Sequence, residues 1–206
     1  MKVLLINGSP RNGGNCSILI NEMVKVFNEE NVECDVVNIL ASDIRGCAGC
    51  AYCKTHEGCV HKDIVNETAL KFKEASGLVL VTPVYFASPN GSLISFLDRL
   101  FYSRGYDVRM KVGASFAIAR RGGTESSFDV LNKYFTISGM PIASGDYWNN
   151  AFGALKGEVE KDLEGLRNAR VVAKRMVFLM KAIKDAKEKY PELLNDEKRV
   201  QTNFIK

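Results

Sequence analysis

Lys2-Val3-Leu4-Leu5-Ile6-Asn7-Gly8-Ser9-Pro10-Arg11-Asn12-Gly13-Gly14-Asn15-Cys16-Ser17 is an apolar run of strand length that breaks into a glycine-rich turn and then opens a helix. A nearly continuous apolar strand is one buried on both faces, as in a parallel sheet covered by helices. The helix that follows is predicted to reach about Glu30, with Ile20, Met23, Val24 and Phe27 at i, i+3, i+4, i+7. Glycines let backbone N–H groups approach an anion, and a helix N-terminus adds a favourable dipole. Ser9, Asn15 and Ser17 add neutral donors and Arg11 a charged one, with Cys16 in the helix's first turn. Gly14-Asn15 stands where a Walker A loop needs Lys-Ser/Thr, and G-x-G-x-x-G is absent, so neither a nucleoside triphosphate nor a dinucleotide is indicated. Two readings remain: a site for one terminal phosphate, or a turn with no ligand.

Outward from this segment, strands and helices alternate, as in a parallel sheet with helices on both faces. Strand two is expected over 33–39, strand three over 78–82, strand four over 112–119 and a short fifth over 141–144. Helix two is expected to start at Asp63 and end near Ala75. Helix three is capped by Ser88 or Asn90 and carries Leu93, Phe96, Leu97 and Leu100. Helix four spans roughly 125–138. A long last helix over about 158–188 carries two apolar stripes, Ala169, Ala173, Met176, Met180 and Val172, Met176, Leu179, Ile183. Such a chain is expected to be α/β, a flavodoxin-like three-layer sandwich with a five-stranded parallel sheet in the order 2-1-3-4-5. Ligands of such sheets bind outside the strands' carboxyl ends, where strand order reverses. One domain over 1–188 and a polar tail over 189–206 are expected, with no internal repeat and no linker.

With 206 residues, 46% apolar and 25% charged, the composition is that of an ordinary globular protein. The net charge of +4, with both signs scattered along the chain, does not call for nucleic acid. No apolar run approaches a membrane span, and the N-terminal run is too short for a signal peptide. A cytoplasmic protein with reduced thiols is therefore expected.

Four of the six cysteines fall in thirteen residues, Cys47-Ala-Gly-Cys50-Ala-Tyr-Cys53-Lys-Thr-His-Glu-Gly-Cys59, in a segment without helical or strand period. C-x2-C-x2-C-x5-C in one loop suits a cluster more than zinc, which pairs C-x2-C with a distant second pair. His56 and His61 keep zinc open, and a loop of free thiols is the third alternative. The loop follows strand two and is expected beside the strand-one edge of the ligand site. Cys16 and Cys34 read as small core residues rather than reactive groups.

Gly8-Ser9-Pro10-Arg11 with Asn15 and Ser17, Thr82-Pro83-Val84-Tyr85-Phe86-Ala87-Ser88-Pro89, Asp98-Arg99, Arg120-Arg121-Gly122-Gly123 and Tyr147-Trp148-Asn149 together resemble the NAD(P)H-dependent FMN reductase family. The resemblance covers Lys2 to about Ile183. It implies that Ser9, Arg11, Asn15, Cys16 and Ser17 bind the FMN phosphate. It also implies that Pro83, Val84, Tyr85, Phe86, Ala87, Ser88 and Asn90 lie along the isoalloxazine ring, and that Arg120, Arg121 and Gly122 meet its other edge. Within the family the cysteine spacing is similar to that of the iron–sulfur flavoproteins, which implies a [4Fe–4S] cluster on Cys47, Cys50, Cys53 and Cys59. Other members carry cysteines here without being established cluster proteins.

The function expected is an FMN-dependent oxidoreductase passing electrons through FMN and a [4Fe–4S] cluster. The flavin is the redox centre, so no catalytic side chain is required. The alternative is an NAD(P)H-dependent FMN or quinone reductase without a cluster. Tyr85 and Phe86 can be ring walls or core, Arg120 and Arg121 flavin contacts or solvated charges, and Trp148 core, flavin contact or subunit contact. A flavodoxin-type carrier and a zinc-stabilised binding module are rivals of other classes. Expected partners are a small-molecule or protein redox partner and, through the last helix and Trp148, further copies of the chain as a homodimer or homotetramer.

Overall fold

β1 (Lys2–Asn7) is an interior strand of the sheet, as side chains that are apolar on both faces require. Val3 and Leu5 enter one core, and Leu4 and Ile6 enter the other, as the two-residue period of a strand requires. The computed structural model describes residues 1–40, 43–198, 200–202 and 204. β2 (Glu33–Asn38) pairs parallel with one edge of β1 and β3 (Gly77–Tyr85) with the other. β5 (Val112–Ala119) pairs with β3, and β6 (Asn150–Phe152) with β5, both parallel. The two-residue β4 (Ser88–Pro89) folds back antiparallel on β3. The five parallel strands thus run β2-β1-β3-β5-β6, the expected order once β4 is set aside.

α1 (Asn15–Glu29) and α5 (Leu163–Lys189) cover one face of the sheet; α2 (Ile64–Glu74), α3 (Gly91–Ser103) and α4 (Thr124–Ile137) cover the other. Asp63 caps α2 by accepting from the Val65 N–H at 3.1 Å, and Asn90 rather than Ser88 caps α3.

Three expectations are corrected. The fifth strand is Asn150–Phe152, not 141–144, where only Ile142 bridges Gly113. The pairing offset grows by four residues between Ile142 and Asn150, so the segment leaves the sheet edge and returns. That excursion carries Tyr147 and Trp148, and Trp148 is 54% exposed rather than core. Second, β3 does not stop before Pro83 but runs to Tyr85. Third, the two stripes of α5 are one buried face. Ala169, Val172, Ala173, Met176 and Met180 are buried, and Leu179 and Ile183 pack on the same core. The helix begins at Leu163, after a 3-10 turn over Glu158–Lys161. After it, Pro191–Leu194 make one more 3-10 turn, and Asp196 pairs with Arg109.

Candidate functional site

The loops after β1, β3, β5 and β6 converge on one open hollow at the carboxyl edge of the sheet. In the first loop the buried Asn7 side chain is the organiser. Its Oδ1 accepts from the Ser9 N–H at 3.0 Å, and its Nδ2 donates to Ser17 Oγ at 3.0 Å and Asn38 Oδ1 at 2.9 Å. Ser9 Oγ in turn accepts from the Arg11 N–H at 3.2 Å. Gly14 caps α1 without any side-chain bond, and the first N–H groups of a helix have no intrahelical acceptor, so these donors face the hollow. Ser9, Arg11, Asn15 and Cys16 line it. Ser17 does not; its hydroxyl is held beneath by Asn7. Burial pushes the Cys16 thiol up to about 12, so it is neutral.

The loop after β6, Gly153 to Gly157, was not singled out in the sequence and completes the site. Asn15 spends its side chain on it. Nδ2 donates to the carbonyls of Gly153 at 3.1 Å and Leu155 at 3.0 Å, while Oδ1 accepts from Gly157 N–H at 2.9 Å. Glu158 accepts from the Leu155 and Ala154 N–H groups at 2.8 and 2.9 Å, which hold its carboxyl below the usual range. The result brings Lys156 over Gly13: a β-carbon there would lie 3.6 Å from Lys156 Nζ. A lysine between two glycines, Gly153 and Gly157, was the available signal.

Pro83, Val84 and Tyr85 form the next wall. Phe86 and Ala87 then turn the chain with φ of 50° and 57°, the left-handed pair of a tight hairpin. Non-glycine residues rarely adopt that conformation, and it is found where surrounding structure over-determines it. Ser126 Oγ donates to the Ala87 carbonyl at 2.7 Å, and Gly123 packs so close that a β-carbon would stand 2.8 Å from Ala87 Cα. Only glycine fits there, with φ of 87°. Phe86 is fully exposed and Ser88 exposed, whereas Asn90 is buried and structural. Arg120 lines the hollow; Arg121 and Gly122 are exposed beside it.

The four loop cysteines line a second, smaller hollow with Arg99 and Tyr102. All six cysteines are free, and Cys47 and Cys50 are exposed. Among the described residues no three His, Cys, Asp or Glu side chains stand close enough to grip one metal ion. His56 stacks on Tyr52 and does not line the cysteine hollow, whereas His61 does. The hollow lies against the C-terminal half of α3. Counting 1.5 Å per residue, Arg99 to Ser103 are about 12–18 Å along α3 from its start beside the first hollow.

A profile of NADPH-dependent FMN reductases matches residues 1–154. The chain belongs to that family. It is therefore an FMN-dependent oxidoreductase. An iron-sulfur flavoprotein of Methanocaldococcus jannaschii is 34% identical over 193 residues, covering 89% of this chain and 100% of the relative. One of Methanosarcina thermophila is 30% identical over 194 residues, covering 92% and 100%. Among solved structures, RosB with a bound formylated riboflavin phosphate intermediate aligns at TM-score 0.65 and 16% identity, over 100% of this chain and 92% of that one. An archaeal flavodoxin aligns at TM-score 0.56 and 14% identity, over 86% and 99%. These two show the flavodoxin-like fold. No helix among the described residues is long and apolar enough to cross a membrane.

Proposed function

We propose that this FMN reductase family member passes electrons through FMN in the first hollow and a [4Fe–4S] cluster on the cysteine loop. The observation that carries the FMN placement is the convergence of an uncapped helix N-terminus, Arg11, Lys156 and the Pro83–Tyr85 wall on one hollow. Ser9, Arg11, Lys156 and the first-turn N–H groups of Asn15, Cys16 and Ser17 bind the phosphate. Pro83 to Ala87 flank the ring, with Tyr85 and Phe86 as its apolar wall, while Asn90 fixes the loop from beneath. Arg120 or Arg121 sets a positive charge at the opposite ring edge, with Gly122 giving close approach. Bound there, FMN supplies chemistry that takes electrons in a pair and releases them singly.

The second hollow fits a cluster in its donor set: four thiols line it, and one already receives a buried N–H. Cys47, Cys50, Cys53 and Cys59 would hold the iron, as the names of the relatives support. The exposed Cys47 and Cys50 then swing inward. The partner is a one-electron protein or small molecule, and free thiols throughout fit a reducing cytoplasm. A second reading, an NAD(P)H-dependent reductase without a cluster, is favoured by the wide spread of the cysteines.

Anaerobic purification tests both. The expected product carries FMN bands, a broad brown absorption and about four irons and four sulfides per chain. Reconstitution with iron and sulfide restores the colour in the wild type and not in Cys50→Ala. Full FMN with no iron would leave the reductase reading alone.

A further inference from the structure

Arg99 is the largest fully buried side chain among the described residues. Burying a guanidinium is costly unless every N–H finds an acceptor. All five do. NH1 donates to Asp63 Oδ2 at 2.7 Å and to the Arg45 carbonyl at 3.3 Å. NH2 donates to Asp63 Oδ1 at 2.9 Å and to the His61 carbonyl at 3.2 Å. Nε donates to Cys59 Sγ at 3.2 Å.

The acceptors have a pattern. Arg45 precedes the first loop cysteine, and His61 and Asp63 follow the last. One side chain on α3 therefore holds both ends of the loop and one of its four sulfurs. Asn66 completes the grip on Cys59, accepting from its N–H at 2.8 Å and donating to its carbonyl at 2.9 Å. Cys59 is thus fixed through backbone and sulfur, while Cys47 and Cys50 are exposed. Closing a flexible loop costs entropy that these bonds meet in advance.

We propose that Arg99 is the positioning residue of the cysteine loop, a buried clamp that joins its two ends and presents Cys59 as the fixed sulfur on which the other three close. The proposal rests on the cluster reading for its purpose but is tested without iron. The fork of the guanidinium is the active part, so Arg99→Lys, which keeps the charge, loses the clamp.

Iron-free, FMN-loaded protein is compared with Arg99→Lys by backbone hydrogen exchange and by alkylation of each cysteine, read by mass spectrometry. In the variant, exchange over 45–62 and alkylation of Cys59 rise about tenfold, towards the rate of Cys47, while exchange in β1 and FMN content are unchanged. Rates within about twofold of wild type for both would overturn it. Should Arg99→Lys not retain FMN, Asp63→Asn, which leaves Arg99 in place and weakens its fork, is read against the same two limits. Wild type that takes up no iron removes the cluster reading and leaves this comparison standing.

Discussion

Asn90 Nδ2 donates to the Gly8 carbonyl across 2.7 Å, and this bond fastens the hairpin after β3 to the turn after β1. The same side chain accepts from the Ser92 N–H at 3.1 Å, capping α3, and its backbone N–H donates to Thr82 Oγ1 at 3.0 Å. The phosphate turn and the ring wall are thereby one unit.

Asn90→Ala removes a helix cap, worth about 1 kcal/mol. It also leaves the Gly8 carbonyl unpaired in a buried place, worth roughly 1–3 kcal/mol. Urea unfolding should show a lower midpoint with an unchanged slope, and FMN should bind more weakly. A midpoint equal to wild type would mean the tie carries no stability.

The phosphate site can be separated from the ring site by comparing FMN with riboflavin. Ser9→Ala with Ser17→Ala removes one hydroxyl that lines the hollow and one that Asn7 holds beneath it. Losing a hydrogen bond to a charged group costs roughly 1.5–3 kcal/mol. FMN affinity should fall by that amount and riboflavin affinity hardly at all, and Lys156→Ala should follow the same pattern. Equal losses for both ligands would move the phosphate elsewhere.

How far the sequence carried follows from which signals are local. The apolar run Val3, Leu4, Leu5, Ile6 is a property of neighbouring residues, so β1 was readable from it, and the alternation of strands with helices gave the sheet order. Asp63 and Asn90 announce their helices by their own chemistry. Pro83 misled because a proline at a sheet's far end loses no needed hydrogen bond, so β3 passes through it. The break between Ile142 and Asn150 was hidden because Trp148 reads as core by default until the edge it leaves is known. Lys156 and Arg99 depend on partners over forty residues away or more, Gly13 for one and Arg45 for the other, and no local pattern announces such pairs.

Cys16 gives a pH signature. Burial raises its thiol to about 12 from an ordinary value near 9, so the folded chain keeps a proton there that the unfolded chain has lost. Between those values the unfolded state binds fewer protons, and stability falls as pH rises, by about 1.4 kcal/mol per unit from this group. Below the ordinary thiol pKa both states are protonated and the contribution is flat. Cys16→Ala should therefore lose less stability than wild type between pH 9 and 11. In the folded protein at pH 8, Cys16 should resist iodoacetamide while Cys47 and Cys50 react. Parallel pH curves for variant and wild type would contradict the burial argument.

Self-association is expected through the excursion before β6 rather than through α5, whose two apolar stripes are already spent on the core. Tyr147 and Trp148 meet edge to face at 5.0 Å and stand 60% and 54% exposed. With Phe152 they line one hollow beside Glu125, next to the loop that packs on the Ala87 turn. Large exposed aromatics are enriched among the few residues that anchor protein interfaces, and removing one that does so costs about 2 kcal/mol or more of association. Sedimentation of FMN-loaded protein at micromolar concentration should give a dimer or tetramer, and Trp148→Ala should shift it towards monomer. Because Trp148 is the single tryptophan, its emission should move to shorter wavelength as concentration rises. A wild-type monomer whose emission ignores concentration would show that these rings stay in water and that the flavin hollow is complete within one chain.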